Sequence, residues 1–367
     1  SLVLLIGPTT YGFSFVVGSV ILGLALGSAA GARWVRNEGA RSLAGAQFGA
    51  ALASLALLQI LGRLSLPVGH LVHRYADDMT SLLGIELAGV AALLLPASFF
   101  FGATFPLAVG VVSREGAGPA AATGGTLAWN TVGALSGSLA AGFLLIPTLG
   151  AEGALYAAFG IHLFAAGALY SKKSLVPALA ALGLAAAVPF VLPRWDRELL
   201  SGGLYKYASY LEPGEFLDFL RQGDLLFYRE DEVATVTVRK VASRLALAID
   251  GKVDATSSAD MMTQRLLAHV PLLLHPAPKE VLVIGLGSGV TAGSALTHSL
   301  ERIEVVEISP AVVAASHFFD ELSRRPSADP RFRLVHGDGR NHLLLTGRRY
   351  DVIISEPSNP WMAGVSG

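Results

Sequence analysis

Charge is almost missing from the first half of this chain. Residues 1–193 carry 14 of its 55 charged side chains, and the other 174 residues carry 41. A single soluble globule does not divide its charge this way, because its whole surface faces water. Two parts in two solvents are therefore expected, one with membrane composition and one with the charge content of an ordinary globular domain. The chain has no cysteine, which excludes disulfides, thiolate metal sites and a cysteine nucleophile. A net charge of −1 gives no electrostatic case for nucleic acid as a partner. The chain opens inside an apolar run without Met and stops after a loop-like stretch, so it reads as a piece of a longer protein.

A membrane-crossing helix needs about 20 mostly apolar residues. Uncharged runs of that order lie at 1–32, 42–62, 87–113, 116–151, 153–171 and 174–193. About six spans follow, the fourth confined to roughly 125–146. A signal peptide would be one short apolar segment, so that reading fails. Gly23, Gly27 and Gly31, and again Gly133 and Gly137, recur at four-residue spacing, as on faces where membrane helices approach closely. Pro96 and Pro106 imply a kinked or broken third span. Span interiors are nearly free of ionisable residues; Glu86 reads as interfacial and His162 as a packing residue, so side chains do not support transport chemistry. Loops one, three and five carry Arg33, Arg36, Arg41, Arg114, Lys172 and Lys173, against Arg63 and Arg74 on the other side. That bias puts the first set in the cytoplasm and, with six spans, the C-terminal part on the outer side.

Residues 194–198 read as a junction with an interfacial Trp195. From Leu225 the apolar period becomes two, over 225–229, 233–239 and 245–249, which predicts a small antiparallel sheet. A helix is expected over 258–274. Short apolar strands then alternate with helices: strands 281–285, 303–307, 331–335 and 350–355, helices 290–300, 310–322 and 340–345. This alternation predicts a parallel, doubly wound Rossmann-like sheet. The expected organisation is a transmembrane helical bundle at 1–193, a linker and antiparallel β lead-in at 194–257, and an incomplete α/β domain at 258–367.

Ligands of such sheets sit at the carboxyl ends of the strands. Gly285, Gly287, Ser288 and Gly289 follow the first strand and open a helix, letting backbone approach a ligand. Glu307 ends the second strand, where a carboxylate can accept both hydroxyls of a ribose. Asp338, after the third, can accept an adenine amino proton, and Gly339 belongs with it. Both acids also precede helices and fit as N-caps, a role that does not exclude the first. Ala292 stands where a dinucleotide fingerprint has its third glycine, which favours an S-adenosyl ligand over a pyrophosphate. The nine histidines are scattered, and His269 and His275 do not share a helix face, so no metal is expected.

The run Ile249-Asp-Gly-Lys-Val-Asp254, then 267–272, His275-Pro276, 281–289, 305–308 and Tyr350-Asp-Val-Ile-Ile-Ser-Glu-Pro-Ser-Asn-Pro360 resembles the polyamine aminopropyltransferases, the spermidine and spermine synthases. The resemblance covers about 225–360 and includes the β lead-in. The apolar half resembles the membrane region of bacterial membrane-fused spermidine synthase-like proteins, itself similar to major facilitator helices. The family moves an aminopropyl group from decarboxylated S-adenosylmethionine to an amine such as putrescine and releases methylthioadenosine. The resemblance implies Glu307 on the ribose, Asp338 on the adenine and Gln264 beside the donor. It implies Glu356 as catalytic base, with Asp254, Ser358 and Asn359 on the amine. The chain departs from the family at Ser288, where an Asp usually binds the aminopropyl ammonium. It departs again at Thr263 and Gln264 for a Tyr-His pair, at Asp254 for a Gln, and at Glu356-Pro-Ser-Asn-Pro360 for Asp-Ser-Ser-Asp-Pro.

The expected function is therefore a membrane-anchored aminopropyltransferase-like enzyme in a bacterial plasma membrane, with the lipid bilayer as a partner and self-association left open. Its catalytic domain is expected in the cytoplasm from its co-substrate, although the loop charges point to the opposite side. Two alternatives stand beside it: a methyltransferase using intact S-adenosylmethionine, and a non-enzymatic polyamine transporter or sensor.

Overall fold

The computed structural model describes residues 2–7, 9–171 and 174–355, with 36–38 as backbone only. It divides into two compact units, Ser1–Asp196 with Tyr207–Pro213, and Arg197–Lys206 with Gly214–Gly367.

The first unit is helical. Its main elements are α1 (Thr10–Glu38), α2 (Ala40–Leu61), α3 (Ser65–Arg74), α4 (Met79–Arg114), α5 (Pro119–Ala140), α6 (Ile146–Tyr170) and α7 (Val176–Val191). Among the described residues four helical runs are long and apolar enough to cross a bilayer: Thr10–Val35, Ala40–Leu61, Met79–Arg114 and Pro119–Tyr170, the last interrupted at Gly150. The expected fourth and fifth spans belong to one 52-residue run. A π turn, Ala141–Leu145, joins α5 to α6, and the direction changes at Gly150, with φ 74° and ψ 172°. The bend falls two residues before Glu152, the charge that divides the apolar run in the sequence. The last run, α7, has 16 residues, or about 24 Å at 1.5 Å per residue, against about 30 Å of hydrocarbon. In α4 the helix continues through both Pro96 and Pro106 rather than breaking.

The glycine spacing of α1 has a geometric cause. A Cβ on Gly27 would stand 1.8 Å from the carbonyl oxygen of Phe99, and one on Gly102 would stand 2.7 Å from the Cα of Leu24. The backbones of α1 and α4 therefore touch directly, as small-residue faces permit. Gly133 and Gly137 on α5 have nothing within 4 Å of such a Cβ, so their shared spacing carries no contact among the described residues. His162 is a satisfied packing residue: its Nδ1 lies 2.6 Å from Gln47 Oε1, and its ring stacks on Phe101 at 5.0 Å. Trp195 is buried, not interfacial. Its indole Nε1 donates to the Leu58 carbonyl at 2.8 Å, its backbone N–H donates to Glu152, and its ring fills the space over Gly62.

The second unit holds two four-stranded sheets. Strands β1 (Asp224–Glu230), β2 (Thr235–Val241), β3 (Arg244–Ile249) and β4 (Lys252–Thr256) form an antiparallel meander in that order. Alternation on β2 turns Val236 and Val238 inward, and with Leu247 and Ala255 they pack on Ala311, Val312, Ala315 and Phe319. Strands β5 (Glu280–Ile284), β6 (Arg302–Glu307), β7 (Phe332–His336) and β8 (Val352–Ser355) form a parallel sheet of order β7-β6-β5-β8. The central β5 and β6 bury Val281, Leu282, Val283, Ile303, Val305 and Val306 on both faces, as parallel strands covered by helices must. The helices are α8 (Met261–Leu274), α9 (Val290–Ala295), α10 (Pro310–Ser316), α11 (Asp320–Ser323) and α12 (Gly339–Leu345). The expected helices over 290–300 and 310–322 are shorter: α9 stops at Ala295, and a 3-10 turn at His317–Phe319 separates α10 from α11.

Gly27→Ala is expected to lower the thermal midpoint of the full chain in detergent micelles, because α1 and α4 must part to admit the methyl group. Gly133→Ala should leave it unchanged or raise it, since an unopposed helix glycine costs about 0.5–1 kcal/mol relative to alanine. Equal midpoints for the two variants would contradict the direct backbone contact.

Candidate functional site

The parallel sheet brings the carboxyl ends of β5, β6 and β7 side by side, and the loops that leave them carry Gly285–Gly289, Glu307 and Asp338. After Ile284 the backbone turns through Gly285 at φ 92° and Gly287 at φ 53°, in the region that L side chains avoid. A Cβ at either would meet nothing within 4 Å, so dihedral angle and not crowding calls for glycine there. Gly289, at φ 78°, stands in the N-cap position of α9.

Glu307 holds this loop. Its carboxylate is 7% exposed and accepts two backbone hydrogen bonds, from Leu286 N–H at 2.8 Å and from Ser309 N–H at 2.9 Å. The first bond reaches the glycine loop and the second reaches the entrance to α10, so one side chain fixes both walls of the cleft. Glu307 is not the helix N-cap that its position allowed. Ser309 takes that part, its Oγ accepting from Val312 N–H at 3.1 Å. Each carboxylate oxygen keeps a second lone pair, which leaves acceptors for a diol.

Asp338 does cap a helix: its Oδ1 accepts from Asn341 N–H at 2.7 Å, at the start of α12, and the side chain is exposed. Gly339 answers to packing, since a Cβ there would fall 2.6 Å from Ile284 Cγ2. Ser288 and Gln264 are 2% and 6% exposed and are hydrogen-bonded to each other. Asp254 lies on β4 with its carboxylate 2.9 Å from Lys252 Nζ. Glu356, Ser358 and Asn359 lie outside the described residues.

Three further residues of the second unit escaped the sequence reading. Asp231, in the turn between β1 and β2, accepts from Val233 N–H and Ala234 N–H on one oxygen, and from Ser309 Oγ at 2.5 Å and Ala311 N–H at 3.0 Å on the other. It ties the antiparallel sheet to the residues that follow Glu307. Burial works to raise its pKa, but the hydrogen bonds from Ser309, Ala234, Ala311 and Val233 outweigh it and hold the carboxyl below its usual value. Asp260 lies beside Gln264. His298 pairs with His269, Nδ1 to Nε2 at 2.8 Å. Among the described residues no group of three or more His, Cys, Asp or Glu side chains could hold a metal ion. An Asp in a β-turn is the signal that could have flagged Asp231 as a turn former; its bond to Ser309, 78 residues away, had no local signature.

A cavity of about 320 Å³ lies beside Leu286, Ser288 and Gly289, closed by His317, Asp320 and Phe332. It shares the glycine loop with the strand-end cleft, although neither Glu307 nor Asp338 lines it.

Replacing Glu307 by Gln places an NH₂ against one of the two N–H donors it serves. Faster hydrogen exchange is expected at the Leu286 or Ser309 amide, at a cost of about 1–3 kcal/mol for a buried group left unpaired. Unchanged exchange at both would remove Glu307 as the loop's anchor. Asp231→Ala should destabilise the second unit by about 2–3 kcal/mol at neutral pH. Because the folded-state pKa is depressed, that stabilisation is present above the unfolded value of about 3.9 and fades as pH falls through the folded value. Denaturant titrations of both proteins should therefore converge as pH drops below about 4.

Residues 260–365 match the spermine/spermidine synthase domain. The polyamine aminopropyltransferase of Erwinia tasmaniensis is 35% identical over 147 residues, covering 39% of this chain and 52% of that protein. Polyamine aminopropyltransferase 1 of Pseudomonas aeruginosa is 38% identical over 116 residues, 31% of this chain and 41% of that protein. The crystal structure of spermidine synthase from Thermotoga maritima aligns with 28% identity and a TM-score of 0.34, over 36% of this chain and 47% of the other. The chain thus spans about half the length of the curated relatives it matches, and its second unit carries the region related to the spermidine synthases.

Proposed function

We propose that the second unit is an aminopropyltransferase domain, using decarboxylated S-adenosylmethionine as donor and a small amine such as putrescine as acceptor. The observation that carries the reading is the joint one at Glu307. A carboxylate at the end of the second parallel strand, bonded to the glycine loop of the first, stands in a region that matches the spermine/spermidine synthase domain. In this reading Glu307 accepts the ribose hydroxyls, and Asp338 and Gly339 receive the adenine. Gly285, Gly287 and Gly289 admit the sugar edge, and Ser288 and Gln264 receive the donor's tail.

The chemistry is a substitution at carbon. The acceptor's nitrogen lone pair forms a bond to the methylene next to the sulfonium. The carbon–sulfur bond breaks, its electrons return to sulfur, and neutral methylthioadenosine leaves. The attacking amine must be unprotonated, and Glu356 is the proposed base that takes its proton, with Asp254, Ser358 and Asn359 orienting the cation. The cleft's share is to hold nucleophile and methylene in line, which converts an encounter in water into an intramolecular step.

The apolar first unit supports a membrane anchor, four of its helical runs having the length and composition to cross a bilayer. Enzymes that consume cytoplasmic metabolites face the cytoplasm, and this reading places the second unit there against the sense of the loop charges.

Full-length protein in micelles, incubated with decarboxylated S-adenosylmethionine and a panel of amines, should release methylthioadenosine. Glu356→Gln should lower kcat by about 10²–10⁴-fold, the usual worth of a general base. Consumption of intact S-adenosylmethionine to S-adenosylhomocysteine, with no methylthioadenosine from any amine, would sink the proposal.

A further inference from the structure

Asp260 precedes α8 in the position of an N-cap, yet its side chain makes no cap hydrogen bond. It turns back instead and collects donors. Thr256 N–H lies 2.9 and 3.0 Å from its two oxygens, Thr256 Oγ1 donates to Oδ1, and Gln264 Nε2 donates to Oδ2 at 2.8 Å. Gln264 Nε2 also donates to the Thr256 carbonyl at 3.2 Å, and the other end of the amide, Oε1, meets the hydroxyl of Ser288 in the glycine loop.

The direction of these bonds is dictated by chemistry. A carboxylate and a carbonyl can only accept, so the amide of Gln264 must turn its nitrogen to Asp260 and Thr256. Its oxygen is then left for Ser288, and Ser288 must spend its one hydroxyl proton on that oxygen. A lone pair of Ser288 Oγ takes Val290 N–H at 3.3 Å. What Ser288 and Gln264 still offer is lone pairs alone. Thr291 Oγ1 donates to the backbone carbonyl of Gln264 at 3.0 Å and pins α8 to the first turn of α9. A chain of donors thus points from the glycine loop toward one carboxylate, and the loop end is made electron-rich without carrying a charge of its own.

The sheet order says what meets that end. With strands ordered β7-β6-β5, a nucleoside lying along the strand ends has its base by Asp338, its ribose by Glu307 and its 5′ substituent over the β5 loop, where Ser288 and Gln264 stand. We infer that Asp260 is a positioning residue for donor choice: through Gln264 it makes the tail end of the cleft acceptor-only, which admits an ammonium and rejects a carboxylate. This rests on the nucleoside reading given above, and it names the decarboxylated donor over the intact one.

Asp260→Asn inverts the chain. The two donors of Thr256 keep the Asn oxygen, its NH₂ faces Gln264, and the amide of Gln264 turns over, opposed only by the more distant Thr256 carbonyl. Ser288 then accepts from Gln264, and its hydroxyl proton is free to meet a carboxylate. Binding to the full-length chain in micelles is measured for methylthioadenosine, which has no amine tail, for decarboxylated S-adenosylmethionine and for S-adenosylmethionine. Wild type should prefer the decarboxylated donor by about tenfold or more. In Asp260→Asn that preference should collapse or reverse while methylthioadenosine binds as before, and Asp260→Glu should retain it. An unchanged preference in Asp260→Asn overturns the inference, as does equal weakening of all three ligands, which marks a structural role only. Absence of any nucleoside binding to wild type overturns the nucleoside reading itself, and this inference with it.

Discussion

The second unit depends on one carboxylate that serves backbone and not side chains. Glu307 closes β6 and accepts N–H groups from the loop after β5 and from the turn before α10. Two neighbouring strand ends are thereby held at one spacing by hydrogen bonds whose partners cannot rotate away. Such bonds to a charged acceptor are among the stronger ones available to a protein. Every other feature of the cleft is placed relative to it: the open turns at Gly285 and Gly287, the cap at Ser309, and through Ser309 the anchor from Asp231 in the antiparallel sheet. The lead-in sheet is therefore part of the cleft's frame, since its Asp231 and its apolar face both grip the helix that follows Glu307.

The parallel sheet was legible in the sequence because its signal is local. Val281–Ile284 is apolar on both faces and Ile303–Val306 is apolar but for the buried Glu304, and each is followed by a glycine or an acid where a strand ends. Three of the antiparallel strands were legible from their period. The fourth, Lys252–Thr256, was not, because Lys252 and Asp254 place charge on one of its faces and the strand has only five residues. The short helical turns between Arg197 and Leu220 carry too few residues for a period of 3.6 to show. Of the site, Glu307 and the glycine loop could be named from position, but their mutual bond could not. Asp260 fell inside the helix expected over 258–274, and only its partners in the fold show that it serves Gln264 and Thr256.

The helical unit teaches a different limit. Hydropathy counts apolar length: Glu152 divides the run in the sequence, but whether the chain bends there or leaves the bilayer for a polar loop is not a matter of apolar length. It also treats equal glycine spacings alike, whereas Gly27 is pressed against α4 and Gly133 faces open space. Spacing states what a helix face permits, and a neighbour decides whether the permission is used.

The glycines around the cleft divide by the same distinction, with a chemical consequence. At Gly285 and Gly287 the backbone has the wrong handedness for an L residue but leaves room for a methyl group. At Gly293 the helix backbone is ordinary, and a Cβ would fall 1.8 Å from the Ser323 carbonyl oxygen. The first two positions discriminate by chirality and the third by volume. An alanine at 285 or 287 would meet backbone strain alone, whereas one at 293 would have to push the Ser323 backbone aside.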